Sequence, residues 1–102
     1  MNTELELLVD RIVKNFSPDK IILFGSRARG DFKTESDYDL LVLKKGVKHR
    51  RKACWKIEKS LRGTCIATDI IVETPKHFEE LTKNKYMIYQ DIANEGVTVY
   101  ES

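Results

Sequence analysis

A small sheet with helices packed on it, an α/β or α+β domain, is the fold class that this sequence predicts. Three observations point to it. Helical and extended periodicities alternate in the order α-β-α-β-α-β-α-α-β. The extended segments are short apolar runs rich in β-branched and aromatic residues. The 102 residues, 41% of them hydrophobic, suit one domain over 1–102 whose core needs no disulfide or metal to hold it.

Each element has its own signal. Leu5, Leu8, Val9, Ile12, Val13 and Phe16 recur at the helical period, and Thr3 with Glu6 has the spacing of a capping box. Ser17-Pro18-Asp19 ends that helix. Lys20 to Phe24 reads as a buried strand, and Gly25-Ser26 turns the chain into a short helix ending near Gly30. The polar stretch from Asp31 to Ser36 leads to a second strand, Asp37 to Leu43. Residues 47–61 read as a helix with Ala53, Cys54, Ile57 and Leu61 inward and Gly63 just beyond its end. Cys65 to Val72 is the third strand, and Pro75 opens a short helix at its favoured early position. Residues 86–95 read as the last helix, stopped by Gly96, and Val97 to Tyr100 closes the sheet.

Composition excludes whole classes. A net charge of +2 and a mean hydropathy of −0.42 fit neither a membrane protein nor a disordered tail. No apolar run approaches the ~18 residues of a membrane span, and the acidic start MNTELELLVD is unlike a signal peptide. The expectation is a cytoplasmic domain without membrane contact. Two cysteines make no disulfide framework; Cys54 and Cys65 read as structural thiols, and His49 and His77, without metal-ligand spacing, as surface residues. Trp55 lies off the inward stripe of its helix, marking either an interface or, the safer reading, core packing. Tyr86, Tyr89 and Tyr100 read as packing residues. Charge is uneven: residues 44–59 carry eight Lys or Arg and one acid, so this stretch is +7 and the rest of the chain −5. It is either a solvated helix face or a docking surface for an acidic protein or RNA.

Three features carry chemistry. At the strand-to-helix junction Gly25 lets the backbone approach a ligand, the amides of a helix start favour phosphate, and Ser26 adds a hydroxyl donor. Asp37 and Asp39, two apart on a strand, project to one face roughly 6.6 Å apart. Two like charges beside an apolar strand favour a compensating cation, and hard oxygen donors suit Mg²⁺; a solvated strand end is the alternative. Asp69 interrupts the apolar run Ile66 to Val72, where an acid needs a Lys or Arg partner or a metal. If the first two strands are antiparallel, phosphate cradle and carboxylate pair fall at one sheet end. If the third strand neighbours the second, Asp69 joins them, and three carboxylates suit two Mg²⁺ ions ~3.5–4 Å apart.

Gly25-Ser26, ten residues, Asp37-Tyr38-Asp39 and the later Asp69 resemble the signature of the DNA polymerase β-like nucleotidyltransferase superfamily. The string GSRARGDFKTESDYDLLV resembles its minimal nucleotidyltransferase (MNT) group, and the resemblance covers nearly the whole chain, without the helical C-terminal domain of larger relatives. It implies a small mixed sheet with helices around it. It further implies that Asp37 and Asp39 hold the metals gripping the nucleoside triphosphate, that Asp69 completes the second metal site and helps deprotonate the acceptor, and that Gly25 and Ser26 bind the β- and γ-phosphates. Arg27 and Arg29, on the same short helix, either offset phosphate charge or are surface residues. The implied reaction is Mg²⁺-dependent transfer of AMP from ATP to a hydroxyl. For MNT proteins of this length the resemblance implies an antitoxin whose acceptor is a tyrosine of a HEPN-domain toxin. A binding-only antitoxin and a transferase acting on an aminoglycoside-like small molecule are the alternatives. Transfer to RNA has only the basic 44–59 stretch in its favour.

Overall fold

The computed structural model describes residues 2–83 and 87–102. The elements follow the predicted order: α1 (Thr3–Phe16), β1 (Lys20–Phe24), α2 (Ser26–Arg29), β2 (Tyr38–Leu43), α3 (Arg50–Ser60), β3 (Thr68–Glu73), α4 (Pro75–Lys83), α5 (Met87–Glu95) and β4 (Val97–Glu101). They build a four-stranded mixed sheet in the order β3-β2-β1-β4. β1 is antiparallel to both β2 and β4, whereas β2 and β3 run parallel through the α3 crossover.

Side chains alternate between the two faces of the sheet, and each face has its own core. Ile21, Leu23, Tyr38, Leu40, Val42, Ile70 and Val72 pack against α1 and against Ile57 and Leu61 at the end of α3. On the other face Ile22, Phe24, Leu41 and Leu43 meet Ile92 of α5, with Phe78 and Tyr89 edge-to-face at its border. Asp37, Asp39 and Asp69 share the parity of this second face, at the end of the sheet where the core stops.

Several boundaries and environments differ from the sequence reading. The α1 cap is Asn2, whose Oδ1 accepts from the Leu5 amide at 2.8 Å, so Thr3 lies inside the helix and the expected Thr3–Glu6 box does not form. α3 starts at Arg50 rather than 47. β3 starts at Thr68 rather than Cys65, because Cys65 takes a left-handed φ of 57° that breaks the extended run. Trp55 is 59% exposed, so the core-packing reading is wrong. It lies two residues from buried Ile57, on nearly the opposite side of the helix. Tyr86 and the start expected for the last helix lie outside the described residues. Among the described residues no helix is long and apolar enough to cross a membrane.

His77 is not simply a surface residue. Glu73, only 3% exposed, receives the Arg50 guanidinium at 2.6 Å and the Tyr89 hydroxyl at 3.3 Å, while His77 Nδ1 lies 2.7 Å from its other oxygen. This cluster ties α3, α4 and α5 to the end of β3 remote from Asp69. Arg50→Ala leaves part of a buried carboxylate unpaired, for an expected loss of ~1–3 kcal/mol in urea unfolding. A loss within ~0.5 kcal/mol, ordinary for a surface side chain, would show that the ion pair does no structural work.

Candidate active site

The pairing registers converge on one end of the sheet. In the antiparallel pair Phe24 faces Asp39, so Gly25 emerges directly beside that carboxylate. In the parallel pair Asp39 faces Asp69 across neighbouring strands, ~4.8 Å apart. Asp37 precedes β2 by one residue and shares the side of Asp39. The sequence expectation that the glycine turn and three carboxylates share one sheet end therefore corresponds to the observed geometry.

Gly25 is fixed by two constraints. Its backbone (φ 73°, ψ −157°) lies in a region that only glycine occupies readily. A Cβ placed there would stand 2.2 Å from Asp39 Oδ2. The carbonyl of Gly25 accepts from the Ala28 and Arg29 amides, both at 3.1 Å, which starts α2. The amides of Ser26 and Arg27 find no acceptor among the described residues and remain available to an anion.

Asp39 is half-buried, and its carboxyl sits above the ordinary range, first because burial disfavours its charge, then because Asp69 and Asp37 repel it; Arg29 acts in the opposite sense. Asp37 and Asp69 are exposed, which corrects the reading of Asp69 as an acid enclosed by an apolar strand: β3 has only begun at Thr68. Among the described residues no group of three or more His, Cys, Asp or Glu side chains is placed to hold a metal ion by itself. An open set of carboxylates crowding one another fits a hard cation that arrives with ligands of its own; Mg²⁺ typically takes one or two carboxylates plus phosphates and water.

The raised Asp39 sets a pH dependence. The folded chain holds a proton that the unfolded chain has released, so this stabilisation is complete below the ordinary value of 3.8 and is lost as pH rises through the folded value. Asp39→Asn is therefore expected to raise the thermal midpoint at pH 7 in metal-free buffer, with the gain shrinking toward pH ~4. A midpoint at pH 7 that falls or stays put would contradict the crowding.

The two arginines differ in what they touch. Arg27 donates to the carbonyls of Thr34 at 3.2 Å and Ser36 at 3.0 Å, and its guanidinium lies 4.5 Å from the Phe32 ring centroid and 4.2 Å from that of Tyr38. It holds the 31–36 loop against the site. Arg29 instead lies near Asp31 (3.4 Å) and Glu95 (3.7 Å) and beside a cleft of about 120 Å³ that opens next to Gly25. Sequence reasoning missed Tyr38 and Asn2. Tyr38 is 2% exposed, donates to Glu4 Oε1 at 3.0 Å and receives Asn2 Nδ2 at 3.1 Å, pinning the Asp-Tyr-Asp segment with both acids outward. Alternation within D-Y-D was the available signal, since an aromatic between two acids on a strand must take the other face.

Comparison with known proteins places the chain in a family. The family model described as Polymerase beta, Nucleotidyltransferase matches residues 6–102. The chain belongs to the polymerase β nucleotidyltransferase family. A relative from Methanocaldococcus jannaschii, named "Putative protein adenylyltransferase", is 35% identical over 81 residues, covering 79% of this chain and 78% of its own. Among solved structures, a toxin–antitoxin complex with AMP-PNP is similar at a TM-score of 0.69 and 19% identity, covering 99% of this chain and 75% of that one. The tri-AMPylated Shewanella oneidensis HEPN toxin in complex with MNT antitoxin is similar at a TM-score of 0.57 and 18% identity, covering 95% and 72%. At these identities the two structures establish the likeness of fold. For this nucleotidyltransferase, the mixed sheet and its helices are the family's scaffold, and the glycine turn and the carboxylates lie together at one end of it.

Proposed function

We propose that the chain transfers AMP from ATP to a hydroxyl of a partner protein, a tyrosine of a HEPN-domain toxin, and thereby acts as its antitoxin. The observation that carries this reading is the register placing Asp39 opposite Asp69 and against Gly25 at one sheet end. The name of the M. jannaschii relative and the partners in the two similar complexes support the choice of a protein acceptor.

In this mechanism Ser26 and the free amides at the start of α2 bind the β- and γ-phosphates, with Gly25 allowing their close approach. Arg29 offsets triphosphate charge; Arg27 serves the same site from behind by fixing the 31–36 loop. Asp37 and Asp39 hold Mg²⁺, and Asp69 contributes to a second Mg²⁺ site. When bound, the metal supplies positive charge for the phosphates and the developing oxyanion. Asp69 accepts the proton of the acceptor hydroxyl. The hydroxyl oxygen bonds to the α-phosphorus, the bond from that phosphorus to the bridging oxygen breaks, and pyrophosphate leaves with the electron pair. Positioning and electrostatics thus provide most of the rate.

The test is label transfer with the HEPN-domain partner. ATP labelled at the α-phosphate should leave its label on the partner, and ATP labelled at the γ-phosphate should not. Removal of divalent metal by EDTA should abolish transfer, and Mg²⁺ should restore it. Label from the γ-position on the partner would make the chain a kinase and overturn the reading.

A further inference from the structure

A groove of about 410 Å³ lies away from Asp37, Asp39 and Asp69, between α3 and the free edge of β3. The hydrogen bonds fix which backbone groups that edge presents. The carbonyls of Ala67 and Glu73 accept from the Tyr38 and Lys44 amides of the β2 side at 3.0 and 3.1 Å. By alternation Asp69 and Ile71 also face β2, whereas the N–H and C=O groups of Thr68, Ile70 and Val72 face outward. Among the described residues none of these three makes a backbone bond beyond the sheet; the Ile70 carbonyl is met only by the Cys54 thiol, at 3.5 Å.

An unpaired strand edge is a template for another strand, and folded proteins usually blunt it with charge, proline or a covering loop. Here the groove beside it holds Trp55, 59% exposed, with the Lys59 ammonium 5.2 Å above its ring, together with Arg51, one acid, Glu58, and Arg50, whose guanidinium is already paired with Glu73. The surrounding stretch, residues 44–59, is +7. The same strand carries Asp69 one residue from its start.

We propose that the free edge of β3 receives an extended, acidic segment of the protein acceptor by strand addition, with Trp55 and Arg51 anchoring it. This rests on the protein-acceptor reading above and adds the route of delivery, since a segment paired along Thr68, Ile70 and Val72 runs beside Asp69. Charge complementarity favours an acidic occupant. The row of outward backbone donors and acceptors favours a peptide over RNA, because only a peptide backbone pairs with it in register.

Amide exchange of the full chain, free and with its HEPN-domain partner, tests this. In the complex the amides of Thr68, Ile70 and Val72 should slow at least tenfold, while those of Asp69 and Ile71, already bonded to β2, change little. Trp55→Ala with Arg51→Glu should weaken partner binding at least tenfold and leave ATP affinity within about twofold, which separates docking from misfolding. A complex in which the three edge amides exchange as in the free chain overturns the proposal, and continued AMP transfer in that complex leaves the function standing. Edge protection without any AMP transfer supports the docking site and contradicts the function. Protection of the edge by a single-stranded RNA oligonucleotide and not by the protein also overturns it. So does the lack of any complex at micromolar concentrations.

Discussion

Joint replacement of Asp37 and Asp39 by asparagine should lower AMP transfer by ~10³-fold or more while leaving a folded chain that still binds its partner. The neutral amides keep the shape of the carboxylates and lose the charge that would hold the proposed cation. Metal stabilisation of a phosphoryl transition state is worth several kcal/mol. At 1.36 kcal/mol per factor of ten, three such factors need only ~4 kcal/mol. The stability change has the opposite sign, because the half-buried Asp39 is crowded first by its own desolvation and then by Asp69 and Asp37. A more stable, inactive variant cannot be explained by unfolding. Transfer retained within tenfold of the parent chain would remove these two residues from the chemistry.

Gly25→Ala should be nearly as damaging, by another route. Its conformation costs an alanine ~1–3 kcal/mol. The new methyl also cannot coexist with Asp39 Oδ2, so the carboxylate must leave its position. Gly30 provides the matched control. It too has a positive φ, 89°, but a Cβ there meets nothing within 4 Å. Gly30→Ala should therefore lower stability alone, whereas Gly25→Ala should also lower kcat/KM for ATP by at least tenfold. Equal kinetic effects from the two substitutions would mean that the close approach of Gly25 to Asp39 is incidental.

Much of this was legible in the residues. Strong periodicity and turn chemistry marked every element, and the short helix after Gly25 ended at Gly30 as read, because the two glycines take positive φ values at its ends. The convergence of Gly25, Asp39 and Asp69 followed from two conditional statements about strand pairing, which β1–β2 and β2–β3 satisfy. What was not legible depended on tertiary neighbours. His77 looks like an ordinary surface residue until the fold brings it to the buried Glu73 beside Arg50. Arg27 reads either as an offset to phosphate charge or as a surface residue, and its contacts with two carbonyls and two rings of the 31–36 loop and Tyr38 need the tertiary structure to appear. Asp69 seemed enclosed because its neighbours in sequence are apolar, yet burial depends on where the strand begins. Cys65 moves that start three residues downstream by adopting a left-handed turn. The exposure of Trp55 had a sequence signal, its place off the inward stripe, which a preference for burying large aromatics outweighed.

The most direct measurement is the intact mass of the proposed HEPN-domain partner after incubation with this chain, ATP and Mg²⁺. The double Asp37→Asn, Asp39→Asn variant serves as the control. One or more AMP-sized additions on a tyrosine of the partner, absent with the variant, is the predicted result. A stable complex in which the partner's mass never changes would contradict the account and leave masking by complex formation as the means of neutralisation.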